Sequence, residues 1–187
     1  MIGYNLPTSI DVGGIQREIR SDFRAVLDVL AAMSDPELDD ISKTSIMVQI
    51  IYPKWEEIRP EYLDEAARKA CEFIDCGNSS DGKKKPRLID WEQDAALIVP
   101  AVNHIAGKEI RSMEYLHWWT FLGYFMEIGE STISTVIHIR SKKAKGKKLE
   151  KWEQDFYREN RDIVNFKSKY SSTDKEFFDN WARKENT

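Results

Sequence analysis

The sequence predicts a mostly α protein: a single helical domain of about six to eight helices carrying a small N-terminal β-hairpin. Apolar residues recur at helical spacing in successive segments between Ser21 and Phe166. Pro and Gly fall where those segments stop. A lone Gly13-Gly14 pair sits between two short β-branched runs near the start of the chain.

Residues 8–19 read as the hairpin, with Ile10, Val12, Ile15 and Ile19 flanking the glycines, which supply the positive φ angles of a tight two-residue turn. A hairpin alone is marginal, so it must lie on the helices. The first helix starts near Ser21 or Asp22, presents Phe23, Val26, Leu27 and Leu30, and is broken by Asp35-Pro36. A second covers about 40–52, carries Ile46, Met47, Ile50 and Ile51, and stops at Tyr52-Pro53. Pro60 suits the first position of a third, which carries Tyr62, Leu63, Ala66, Ala70, Phe73 and Ile74 and ends at Gly77.

The stretch Cys76–Arg87 offers nothing apolar to bury beyond its first residue and reads as a flexible loop. Asp90, with Gln93 three residues on, predicts a capping-box-like start to a fourth helix, kinked at Pro100 and closed by Gly107. Glu114–Glu127 is the richest aromatic stretch. It predicts a helix from about Ser112 to Ile128, with Tyr115, Trp118, Trp119, Leu122 and Met126 on one face and His117, Phe121, Tyr124 and Ile128 on an adjoining one. Two apolar stripes imply packing on two sides, with Trp118 and Trp119 in the core.

Ser131–Arg140 mixes β-branched residues with a helical face of Ile133, Val136, Ile137 and Arg140, and is assigned to helix. Arg140–Lys148 reads as a basic loop. Another helix spans about 147–166, on a near-heptad seam of Leu149, Trp152, Phe156, Ile163 and Phe166 that Glu159 interrupts. Thr173 and Glu176 form a capping box before Phe177, Phe178 and Trp181, a short amphipathic helix on a polar connector. The organisation is therefore residues 1–20 as hairpin, 21–166 as helical domain with a loop at 77–88, and 167–187 as a C-terminal tail.

A length of 187 residues suits one domain with a real core. With 41% hydrophobic and 32% charged residues the chain reads as a soluble globular protein, and a net charge of −4 gives no overall pull toward nucleic acid or anionic membrane. No apolar run approaches the roughly 20 residues of a spanning helix. The opening Met1-Ile2-Gly3-Tyr4 lacks the pattern of a secretory signal. Two cysteines do not make a disulfide framework. The expectation is a cytoplasmic protein.

Residue patterns that carry catalysis are missing. His104, His117 and His138 fall on different helices without metal-ligand spacing, and His117 reads as a packed core or boundary residue among aromatics. Cys71 and Cys76 read as a buried pair of small apolar side chains. The acid pairs Asp39-Asp40, Glu56-Glu57 and Asp64-Glu65 sit near helix ends, where the macrodipole favours them. Gly146-Lys147-Lys148 lacks the upstream glycine and hydroxyl of a phosphate-binding loop. No enzyme, metal or cofactor is expected.

Binding features remain. Lys83-Lys84-Lys85-Pro86-Arg87 and the set Arg140, Lys142, Lys143, Lys145, Lys147 and Lys148 are basic, and the second set could neutralise several phosphates. Neither is interleaved with aromatics, and the acidic remainder opposes nucleic-acid binding. Trp152, Phe156, Phe177, Phe178 and Trp181 are the aromatic candidates for partner binding. Trp152 and Phe156 suit docking on the protein's own bundle as well; the tail helix suits a helix-in-groove contact or folding back on the parent domain.

With the helices placed, the chain resembles a siphophage family, the bacteriophage Gp-fifteen proteins. The resemblance is carried by Asp22-Phe23-Arg24, Asp35-Pro36-Glu37-Leu38, Tyr52-Pro53, Phe73-Ile74-Asp75-Cys76-Gly77, Ile89–Ala95, Ile139-Arg140-Ser141 and Phe156-Tyr157. Its most distinctive block is Glu114-Tyr115-Leu116-His117-Trp118-Trp119 with Phe121. It implies a role in tail morphogenesis: a tail assembly chaperone that coats the apolar, helical tape-measure protein in the host cytoplasm and is absent from the mature virion. Other tail assembly proteins are implied partners, and a homo-oligomer is left open. The alternatives are a structural tail or head–tail component, and a packaging accessory that binds nucleic acid through the basic 140–148 segment.

Overall fold

Gly13 and Gly14, at φ +60° and +78°, turn the chain between strands β1 (Ser9–Val12) and β2 (Ile15–Glu18), which pair antiparallel with Val12 opposite Ile15. Gly13 is needed twice over, because a Cβ there would lie 2.8 Å from the Tyr62 ring. The computed structural model describes residues 5–77 and 86–167. Over those residues the protein is mostly helical, with eight α-helices and this one hairpin. The helices are α1 (Phe23–Met33), α2 (Asp40–Ile51), α3 (Leu63–Ile74), α4 (Ala95–Ala106), α5 (Trp118–Met126), α6 (Thr132–Ala144), α7 (Lys151–Glu159) and α8 (Arg161–Val164). The loop assigned to 77–88 and the tail helix assigned beyond Lys167 lie largely or wholly outside the described residues.

The hairpin docks on α3. Lys69 on α3 donates to the Asp11 carbonyl at 2.6 Å and pairs with Glu65 at 2.7 Å, while Glu65 accepts from the Gly13 amide. Inside, α1, α2, α3, α4 and α5 share one core built on Val26, Ile51, Ala66, Ala70, Val102, Trp118 and Phe121. Phe23 stacks on Phe121 with ring centroids 4.8 Å apart, and Trp91 meets Trp118 edge-on. A smaller cluster of Val136, Ile139 and Val164 joins α6 to α8, and Leu97 of α4 packs against both clusters.

Several boundaries differ from those the sequence predicts. Residues 115–117 are not helical. Leu116 accepts from the Phe23 amide and Ser21 from the Trp118 amide, so the chain runs extended against 21–23 and α5 begins only at Trp118. The predicted face of Tyr115, Trp118, Trp119, Leu122 and Met126 therefore does not exist as one buried stripe. Trp118 and Phe121 are buried, Trp119 is half-buried against the core, and Tyr115 and Met126 face solvent. Asp90 accepts from the Glu92 and Gln93 amides but caps only a turn, and α4 starts five residues later. The helix drawn over 147–166 is two short ones, parted at Asn160. Arg140–Ala144 belongs to α6 rather than to a loop. Helix α3 ends at Ile74 with Asp75 as its cap, and both Cys76 and Gly77 take positive φ beyond it.

Candidate partner-docking surface

The paired tryptophans serve the fold. A helix leaves its last carbonyls without intrahelical donors. At the end of α3 the Trp118 indole N–H donates to the Ile74 carbonyl and the Trp119 indole to Phe73, each at 2.8 Å, while Asp75 and Gly77 amides take Cys71 and Glu72. The block that looked like pure core is thus also the C-terminal cap of another helix. His117 is equally structural: its Nδ1 accepts from the Trp119 amide and its Nε2 donates to the Pro7 carbonyl.

The basic segment is partly spent on the fold as well. Arg140 is buried and donates through Nε to Val164, through Nη1 to Leu88 and Asp94, and through Nη2 to Asp94 and Ile163. Its guanidinium also lies 4.1 Å from the centre of the Phe166 ring. Lys142 reaches Glu153 at 2.6 Å and Glu150 at 3.4 Å; Lys143 donates to Asn165 and sits 3.8 Å over the Tyr157 ring. Burial would raise the carboxyl of Glu153, yet bonds from Lys142, the Glu150 amide and His138 outweigh it and hold the group below the usual range. Lys145, Lys147 and Lys148 remain exposed and outside these bonds. A six-cation patch is therefore reduced to three, and Lys83, Lys84 and Lys85 of the other basic run lie outside the described residues.

Of the aromatic candidates, Trp152 is 53% exposed on α7. Phe156 is half-buried and packs on the Val136–Ile139–Val164 cluster. Phe177, Phe178 and Trp181 lie outside the described residues. The cysteines are not a buried pair, since Cys71 is exposed and Cys76 half-buried. Among the described residues no group of His, Cys, Asp or Glu is arranged to hold a metal ion, and no helix is long and apolar enough to cross a membrane.

One apolar cleft lies outside the predicted sites. A cleft of about 510 Å³ lies between α2 and the start of α3. Ile41, Thr44, Ser45 and Val48 form one wall, at the i, i+3, i+4, i+7 spacing of a single helix face. Trp55, in the 3₁₀ turn Trp55–Glu57, and Leu63, at the first position of α3, form the other. Asp39 fixes the start of α2 by accepting from the Ser42 amide at 2.7 Å. Tyr52 ties its end to α3 by donating to the Ala66 carbonyl at 3.0 Å. Between these two anchors Ile41 stands 81% exposed, the most exposed large hydrophobic side chain described. The sequence signal was weak because Thr44 and Ser45 interrupt the stripe, and Ile41 lies on a different face from Met47 and Ile51. A second cleft, of about 490 Å³, runs along Leu97, Pro100, Ala101 and Ile105 of α4 and is closed by residues 128–132. Both are concave and apolar, the shape that accepts a helix face.

No match was found among curated proteins or among solved structures. The family described as "Bacteriophage Gp15 protein" matches residues 3–166, from ahead of the hairpin to the Phe166 ring over Arg140. On that match the chain belongs to the bacteriophage Gp15 protein family.

Proposed function

We propose that this phage protein is a non-enzymatic tail-morphogenesis factor, a tail assembly chaperone that binds the tape-measure protein in the host cytoplasm and does not remain in the virion. The observation that carries the reading is the cleft between α2 and α3, where Ile41 and Leu63 are offered to solvent beside a half-buried Trp55. Exposed apolar surface of this shape favours interaction with another chain, and an amphipathic helix in a groove is its simplest occupant. Tape-measure proteins are long and helical and need such cover until the tube polymerises round them. Membership of the phage family supports a role among phage proteins.

Co-expression with the tape-measure protein of the same phage tests the reading. The expected result is a soluble complex of the two and no trace of this chain in purified particles. An insoluble partner beside a folded, soluble, unbound chain would overturn it. Recovery from mature virions would favour a retained structural component instead.

A further inference from the structure

We infer that the cleft between α2 and α3 selects an amphipathic helix whose apolar stripe is flanked by lysine or arginine. The inference rests on the reading above that the protein covers a helical partner, and adds which surface does so and what chemistry that partner must carry.

Among the described residues the cleft's charges are all of one sign: Asp40, in the first turn of α2, and Asp64, in the first turn of α3, line it together with the apolar residues, and no described cation does. Lys43 and Lys54 belong to the same stretch of chain but do not line it. Acids in a first helical turn favour the macrodipole by themselves, and that alone would not mark a site. These two differ from their neighbours in being unengaged. Asp39 caps α2 through the Ser42 amide, Glu65 pairs with Lys69 and Glu61 with Arg59, whereas the carboxylates of Asp40 and Asp64 have no partner among the described residues. Two unpaired carboxylates, one on each wall of an apolar trough, leave a helix with acidic flanks repelled and one with basic flanks attracted. The volume suits the few leucine-sized side chains of one helix face, and along the α2 wall Ile41 and Val48 stand two turns apart with the hydroxyls of Thr44 and Ser45 between them.

The test uses the full-length protein and two fluorescently labelled amphipathic peptides of about 18 residues, sharing one leucine stripe and flanked by lysine in one and glutamate in the other. The lysine peptide is expected to bind about tenfold or more tightly at low salt, with the preference collapsing at about 1 M salt, where the screening length is only about 3 Å. The pair D40N and D64N should remove the preference, and D40K with D64K should invert it. Ile41→Ser, at an exposed position that folding does not need, should weaken both peptides. Equal affinity for the two peptides, or a preference that survives D40N and D64N, overturns the inference. Its failure is separable from that of the chaperone reading. A D40K/D64K/I41S variant that still solubilises the tape-measure protein keeps the function and removes this surface. A wild-type chain that binds the lysine peptide through these residues but not the tape measure keeps the surface and removes that partner.

Discussion

Asp22 and His117 lie opposite each other in an antiparallel β-bridge, and each is the N-cap of the helix that follows it. Asp22 accepts from the Arg24 amide and, through its other oxygen, from the Leu116 amide across the bridge. His117 accepts from the Trp119 amide, which leaves its proton on Nε2 for the Pro7 carbonyl. The starts of α1 and α5 are therefore set against each other by one short stretch of paired backbone.

Replacing His117 by Ala removes a cap, a long-range bond to Pro7 and a buried ring together. It should cost about 2–4 kcal/mol in urea unfolding. His117→Asn, which keeps a capping acceptor, should recover part of that loss. Equal stabilities for the two variants would show that the cap contributes nothing.

The two indoles at the end of α3 predict a separable effect. Trp118→Phe keeps most of the buried ring but leaves the Ile74 carbonyl without its donor, at about 1–3 kcal/mol. Trp119→Ala loses both bond and packing, and at about 3 kcal/mol should lower the melting temperature by about 6–12 °C. Calorimetry checks both, and an unchanged Trp118→Phe melting temperature would refute the capping role.

Arg140 and Asp94 form a buried pair in which neither charge tolerates isolation. Arg140→Met and Asp94→Leu should each destabilise by about 3–5 kcal/mol. Combined as Arg140→Met with Asp94→Leu, the loss should fall short of the additive expectation by about 1–3 kcal/mol, because no orphan charge is left. Strict additivity in denaturant titrations would contradict the direct coupling.

Acid should weaken the fold through Glu109. Side-chain bonds from Arg111, then the Arg111 amide, hold its carboxyl down from the usual 4.5 to about 2. A carboxyl depressed on folding stabilises above its unfolded value, and that contribution is lost as pH falls through the folded one. The melting temperature should thus decline as pH drops from about 4.5 toward 2, and less steeply in Glu109→Gln. Parallel profiles for the two proteins would remove Glu109 from the account.

Where local chemistry acts alone, the sequence is a good guide: Gly13-Gly14, Asp35-Pro36 and Gly107 stand at the ends of elements as expected. The failures are tertiary. Helical periodicity runs on through Tyr115-Leu116-His117, but pairing with Ser21–Phe23 draws those residues out straight, and histidine is not among the favoured capping residues. Arg140 is hidden in a run of lysines because its burial depends on Asp94, 46 positions earlier. The cleft escapes notice because its walls come from two helices, and one wall alternates apolar residues with hydroxyls.

The clasp around Arg140 also bears on synthesis at the ribosome. Its side chain is specified before its last acceptors, the carbonyls of Ile163 and Val164, have been made. A nascent chain ending before α8 holds a guanidinium whose burial would strand two donors, at a cost that only the arrival of Ile163 and Val164 removes. A chain stopped after Asn160, which lacks Ile163 and Val164, should be degraded in cells. The second core cluster thus closes only after Val164 has been made, 28 residues beyond its first member Val136.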